Sequence, residues 1–220
     1  MMIHQLLLIS LRIGLSLSRT LSEPERSSDT EVGKFMRSMD VIPDVIEVGP
    51  QDFLNITYHG YVKVDRGKEL EPIQVRDEPE VTWPASPDGY YTLIMIDPDM
   101  PNAIHPVDRE FLHWMVVNIP GNVVSLGDVR VGYVGPTPLQ GSGSHRYVTL
   151  LYKQKEYTKF DFKRLPKHVL DGRNGFRATA FAKKYKFGYP VAGNFFTASW
   201  STDVPQLIKT LKVHTVSDWH

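Results

Sequence analysis

The chain reads as a mainly β protein whose strands are laid down antiparallel in a single domain. Three observations carry that reading. From Phe53 onward, short runs rich in β-branched and aromatic residues alternate with Gly, Pro and Asp punctuation. Two of these runs, Tyr90–Ile96 and Phe111–Val117, are apolar on both faces, the pattern of central strands covered on each side. Only two stretches look helical, 176–185 and 203–212. In the second, Asp203 precedes Val204-Pro205, and proline suits a first helical turn.

Taken in order, the elements begin with a leader. Gln5 to Ser18 is mostly Leu, Ile and Ser, and no acidic residue occurs before Glu23. That run is too short to span a bilayer, and Ser16-Leu17-Ser18 offers small residues at the spacing of signal-peptide cleavage, so 1–18 is a candidate signal peptide. Arg12 and Arg19 keep a mitochondrial presequence open, and an internal start at Met36 or Met39 would leave the protein cytoplasmic. Residues 19–38 are polar, without a sustained apolar period, and read as a linker. The folded domain is expected over 39–212, with a tail at 213–220. Its expected strands are 53–58, 61–64, 79–83, 90–97, 109–119, 145–154 and 194–200. Asn55-Ile56-Thr57 is a glycosylation sequon, usable in a secreted chain.

Composition removes several functions. The 25 basic and 25 acidic side chains cancel, so no overall field steers the protein to nucleic acid, and anion recognition has to be local. Absence of cysteine excludes disulfides, thiolate zinc sites and cysteine nucleophiles.

Chemistry concentrates in two loops and one strand. Asp97-Pro98-Asp99-Met100-Pro101 closes the strongest strand, and proline holds the preceding residue extended, so the carboxylates sit on a stiff turn. Such a turn alone is more often a structural device than a site. Gly135 to Arg146 is a Gly/Pro-rich loop feeding the strand Tyr147–Tyr152; its glycines let backbone amides approach an anion, although they also suit an ordinary connection. His113 falls between them, on the face of Phe111, Met115 and Val117 by period-two alternation. A histidine among apolar neighbours is, by itself, usually a core residue.

The combination is more specific than its parts. Asp97 to Pro101, the Arg109-Glu110-Phe111-Leu112-His113 strand and the Gly141 to Arg146 loop together resemble the phosphatidylethanolamine-binding protein family, which includes the Raf kinase inhibitor protein. Val41–Ile46, Lys68-Glu69-Leu70 and Pro190–Phe196 extend the likeness over roughly residues 39–212, and the leader is similar to that of secreted, insect antennal-type members. The resemblance implies a two-sheet antiparallel β-sandwich with a C-terminal helix beside a small anion pocket. Asp97, Pro98, His113, Gly135, Pro138, His145 and Tyr147 would line it, with Asp99, Arg109, Glu110 and Arg146 structural and a cis bond between Arg109 and Glu110. Met100, Asp108, Phe111, Leu139 and Ile208 would form the rim. Asp108, Phe111, Leu139 and Ile208 depart from the family's commoner residues, which moves ligand choice away from phosphatidylethanolamine itself.

The expected function is therefore a non-enzymatic, monomeric binding protein without cofactor, taking a phospholipid head group or another small anionic ligand, or regulating a kinase or serine protease through the same rim. Asp97, His113 and His145 would also suit a two-histidine, one-carboxylate metal site, but their spacing is not a local ligand motif. A serine hydrolase lacks its G-x-S-x-G elbow, and Ser142 and Ser144 are merely chain neighbours of His145.

Overall fold

The computed structural model describes residues 30–211. The candidate signal peptide, most of the expected linker and the tail at 213–220 lie outside them. Among the described residues, nine strands form two sheets. The larger runs β1 (Asp52–Phe53), β9 (Ala192–Ala198), β8 (His145–Gln154), β5 (Tyr90–Asp97), β6 (Phe111–Pro120), β7 (Asp128–Val131). The smaller is β3 (Val62–Lys63), β2 (Asn55–Tyr58), β4 (Glu80–Thr82). All neighbours are antiparallel except β1 and β9, where Asp52 pairs with Ala192 in parallel, so the large sheet is mixed.

Side-chain alternation divides the core in two. On β5, Leu93 and Met95 face a cluster between the sheets that includes Ile56, Tyr58, Val81 and Trp83, while Ile94 and Ile96 face the opposite side. There the helices cover the large sheet: α1 (Glu31–Ser38), α2 (Val41–Asp44) and α3 (Ala178–Lys184) contribute Met36, Val41 and Phe181. A C-terminal helix, α4 (Val204–Lys209), completes the set. Being apolar on both faces, β5, β6 and β8 occupy the middle of the sheet, as their sequence requires.

The packed body starts earlier than the sequence suggests. Thr30 caps α1, its Oγ1 accepting from the Gly33 amide at 3.0 Å, and Val32 and Met36, one turn apart, are both buried. Residues 30–38, nearly half of the expected linker, thus belong to the packed body, with Val32, Gly33 and Met36 buried. Asn55 is exposed on β2, leaving the sequon accessible.

Candidate functional site

The site forms where β5 ends and β8 begins, with β6 beside them. Asp97 is the last residue of β5 and His145 the first of β8. The His145 Nδ1–H donates to Asp97 Oδ2 at 2.7 Å, and the Asp99 amide donates to the other oxygen of Asp97, also at 2.7 Å. With both oxygens engaged, the carboxylate is held and in turn orients the imidazole. The rings of His145 and Tyr147 stack, and Tyr147 stacks in turn on Phe196. Burial, and next the charge of Asp97, pushes the Tyr147 phenol well up, so it stays neutral.

His113 reaches this cluster through a bulge rather than by alternation. Ile96 pairs with Leu112 and Met95 with Trp114, leaving His113 as the extra residue on β6. Simple alternation placed His113 with Met115 and Val117, but those two face the helices. The imidazole instead lies 4.8 Å from the Phe111 ring and 5.2 Å from that of Tyr147. Its Nδ1 stands 2.7 Å from the Val134 carbonyl, an acceptor only, so that nitrogen carries the hydrogen. Burial, opposed by the charge of Asp97, lowers the His113 pKa to about 4, and the neutral ring keeps a lone pair at Nε2.

One residue without a local sequence signal supports the bulge. Arg173 is fully buried and paired with no carboxylate among the described residues. Its Nη1 donates to the Leu112 and His113 carbonyls at 2.9 and 3.0 Å, its Nη2 to Gly132 and Pro166 at 2.9 Å each, and its Nε to Val169 at 2.6 Å. The Leu112 amide returns a bond to the Arg173 carbonyl at 3.0 Å. Backbone groups that a bulge takes out of the ladder thereby find partners.

Behind the turn lies an ion network. Arg109 donates to both oxygens of Asp44 at 2.8 and 2.7 Å, and Arg146 bridges Asp44 and Asp99 with Nη2 at 2.7 and 2.6 Å. The Arg109 hydrogen bond, outweighing burial, lowers the Asp44 pKa. These contacts fasten α2 to the Asp97–Asp99 turn. The Arg109–Glu110 bond is cis, and Glu110 Oε2 accepts from the Ala178 amide at 2.8 Å.

The remaining residues lie on two connections, Pro98, Met100 and Asp108 between β5 and β6, and Gly135, Pro138 and Leu139 between β7 and β8. Pro98 and Pro138 are buried; Met100, Asp108 and Gly135 are half-buried, and Leu139 is exposed. Gly135 sits so close to the chain at Val75 and Arg76 that an added Cβ would lie 2.8 Å from Arg76 Cα. A cavity of about 630 Å³ adjoins the site at Val134 and Gly135 and extends to Arg76 and Lys167. On α4, Leu207 lines that cavity and Ile208 does not. Ser142, set aside as a chain neighbour, is in contact after all: its Oγ lies 2.9 Å from His145 Nε2 and donates alternatively to the Leu139 carbonyl at 2.8 Å. Among the described residues, no group of three or more His, Cys, Asp and Glu side chains is placed to hold a metal ion.

The fold is that of a two-sheet, mainly β domain, with its buried His–Asp cluster at the tips of the central strands. The chain belongs to the phosphatidylethanolamine-binding protein family, whose model matches residues 55–196. It is 38% identical to putative odorant-binding protein A5 of Drosophila melanogaster over 84% of this chain and 89% of that protein. It is also 38% identical to the 26 kDa secreted antigen of Toxocara canis, over 72% of this chain and 61% of that protein. Among solved structures, carboxypeptidase Y inhibitor, complexed with its cognate proteinase, superposes with a TM-score of 0.67 at 25% identity, covering 76% of this chain and 94% of that one. These relatives carry the names of binding, secreted or inhibitory proteins.

Proposed function

We propose that Asp97, His113, His145 and Tyr147 form the floor of a site for small anions of the phosphorylated or lipid head-group type. One observation carries the reading: two imidazoles and a carboxylate, none more than 3% exposed, converge under a glycine-rich loop. Within that loop the Gly143 and Ser144 amides lack an internal acceptor among the described residues, which suits them to an anion. Because the neutral His113 offers a lone pair at Nε2, the ligand has to bring a hydrogen there, as a phosphomonoester monoanion or an ethanolamine ammonium does. Both nitrogens of His145 are engaged, so the ligand meets Ser142 or displaces it. Calorimetric titration with O-phosphoethanolamine tests the site. His145→Ala, checked for cooperative unfolding, is expected to weaken binding at least ~10-fold, the loss of one hydrogen bond to a charged group; equal affinity in the folded variant would refute the assignment.

Likeness to carboxypeptidase Y inhibitor favours a second reading, in which the loop rim engages a protease. Inhibition assays against serine carboxypeptidases and endoproteases separate the two. Secretion is proposed from the names of the relatives and the accessible Asn55 sequon, and is tested by the glycan mass at Asn55 in protein recovered from extracellular fluid.

A further inference from the structure

Ser142, His145 and Asp97 stand in a hydrogen-bonded line. Oγ to Nε2 is 2.9 Å and Nδ1 to Oδ2 is 2.7 Å, with the far oxygen of Asp97 fixed by the Asp99 amide. This is the connectivity of a serine nucleophile, its base and the carboxylate that orients the base. The two supporting groups are buried, His145 completely, whereas Ser142 is half-exposed between the exposed glycines 141 and 143. Ring stacking on Tyr147 fixes the plane of the imidazole. Beside the hydroxyl along the chain, the Gly143 and Ser144 amides are free of internal acceptors among the described residues, a supply of donors for a developing oxyanion.

We propose that Ser142 is a nucleophile, activated by His145 and oriented through Asp97, that accepts acyl groups from carboxylic esters. Ser142 Oγ forms a bond to the acyl carbon while its proton passes to His145 Nε2. The tetrahedral oxyanion then collapses, the ester C–O bond breaks, and the leaving alkoxide takes the proton from Nε2. An alcohol departs and acyl-Ser142 remains, open to hydrolysis by water through the same base. The hydroxyl proton has two acceptors, Nε2 and the Leu139 carbonyl, and only its placement toward a neutral Nε2 is productive. This activity goes beyond anion binding and stands without it, since it requires no resident anion.

A fluorophosphonate probe applied to the full chain tests the nucleophile. Attack breaks the P–F bond, releases fluoride and leaves the proton on His145. The expected result is one adduct, mapped to Ser142 by peptide mass spectrometry, with a rate that falls on acidification as the base is protonated. Ser142→Ala abolishes the adduct without changing the melting temperature, and Asp97→Asn slows labelling at least ~100-fold. No adduct, an adduct that survives Ser142→Ala, or a wild-type rate independent of pH would overturn the proposal. The pH readout needs no substitution, so a failure of Asp97→Asn to fold leaves the test intact. Calorimetry with O-phosphoethanolamine is read separately, and its failure would count against the anion site alone.

Discussion

Replacing Arg173 by methionine removes the fork that supports the His113 bulge while keeping a long apolar stem in the same space. Five carbonyls accept from that guanidinium. In the variant the His113 carbonyl keeps the Val134 amide and Pro166 keeps the Val169 amide. The Leu112, Gly132 and Val169 carbonyls lose the Arg173 donor with no replacement among the described residues. A stranded acceptor that is buried, as the Leu112 carbonyl is, costs roughly 1–3 kcal/mol, and the part-buried Gly132 and Val169 carbonyls cost less because water reaches them. Methionine carries no charge, so no unpaired cation is added, and the expected loss is about 4 kcal/mol. Equilibrium urea unfolding followed by fluorescence of the buried Trp83 and Trp114 measures it, with an unchanged slope showing that only stability has moved. The same substitution loosens His113. A loss below about 1 kcal/mol would mean that water or a rearranged loop satisfies these carbonyls, and that Arg173 does not hold the bulge.

Three further outcomes follow from the geometry. Burial lowers the His113 pKa from 6.5 to about 4 and raises that of Glu110 from 4.5 to about 7, so the unfolded chain binds protons more readily at the histidine and releases them more readily at the glutamate. His113 therefore costs stability as pH falls from 6.5 through 4, and Glu110 as pH rises from 4.5 through 7, each by up to about 3 kcal/mol, and the two slopes oppose each other. Glu110→Gln should expose the histidine term as a stability drop on acidification from pH 6.5 to 4.5 in urea titrations; a flat profile would contradict it. Binding of a phosphomonoester should strengthen from pH 7.5 to about 5.5, since the ligand's second pKa is near 6 and a hydrogen is needed at His113 Nε2, and calorimetry in buffers of different ionisation enthalpy should register proton uptake. Gly135→Ala puts a Cβ 2.8 Å from Arg76 Cα and 2.9 Å from the Val75 carbonyl, both backbone, and should cost about 1–3 kcal/mol in thermal or urea unfolding.

The central strands were legible because burial on both faces writes itself as a continuous apolar run, and β5, β6 and β8 carry such runs. Short edges left weaker traces. Asp128–Val131 has only two apolar positions, and Asp52–Phe53 is too brief to show a period, although it supplies the parallel partner of β9. Met36 and Val32 mark α1 at helical spacing, but polar residues around them masked so short a helix. His113 shows the limit of periodicity: one extra residue reverses the side-chain alternation, and a bulge is set by partners such as Val134 and Arg173 that lie far along the chain. Ser142 was discounted by its nearness in sequence to His145, yet glycines 141 and 143, both at positive φ, fold the loop back so that the two side chains meet. The family resemblance identified the cluster as a unit, which no single residue did.

The anion site is tested most directly by nuclear magnetic resonance on the isotope-labelled full chain, titrated with O-phosphoethanolamine and, separately, with inorganic phosphate. Saturable shifts are expected at the His113 and His145 imidazoles and at the Gly143 and Ser144 amides. Shifts confined to the neighbouring cavity at Arg76 and Lys167, or none at millimolar ligand, would contradict the account.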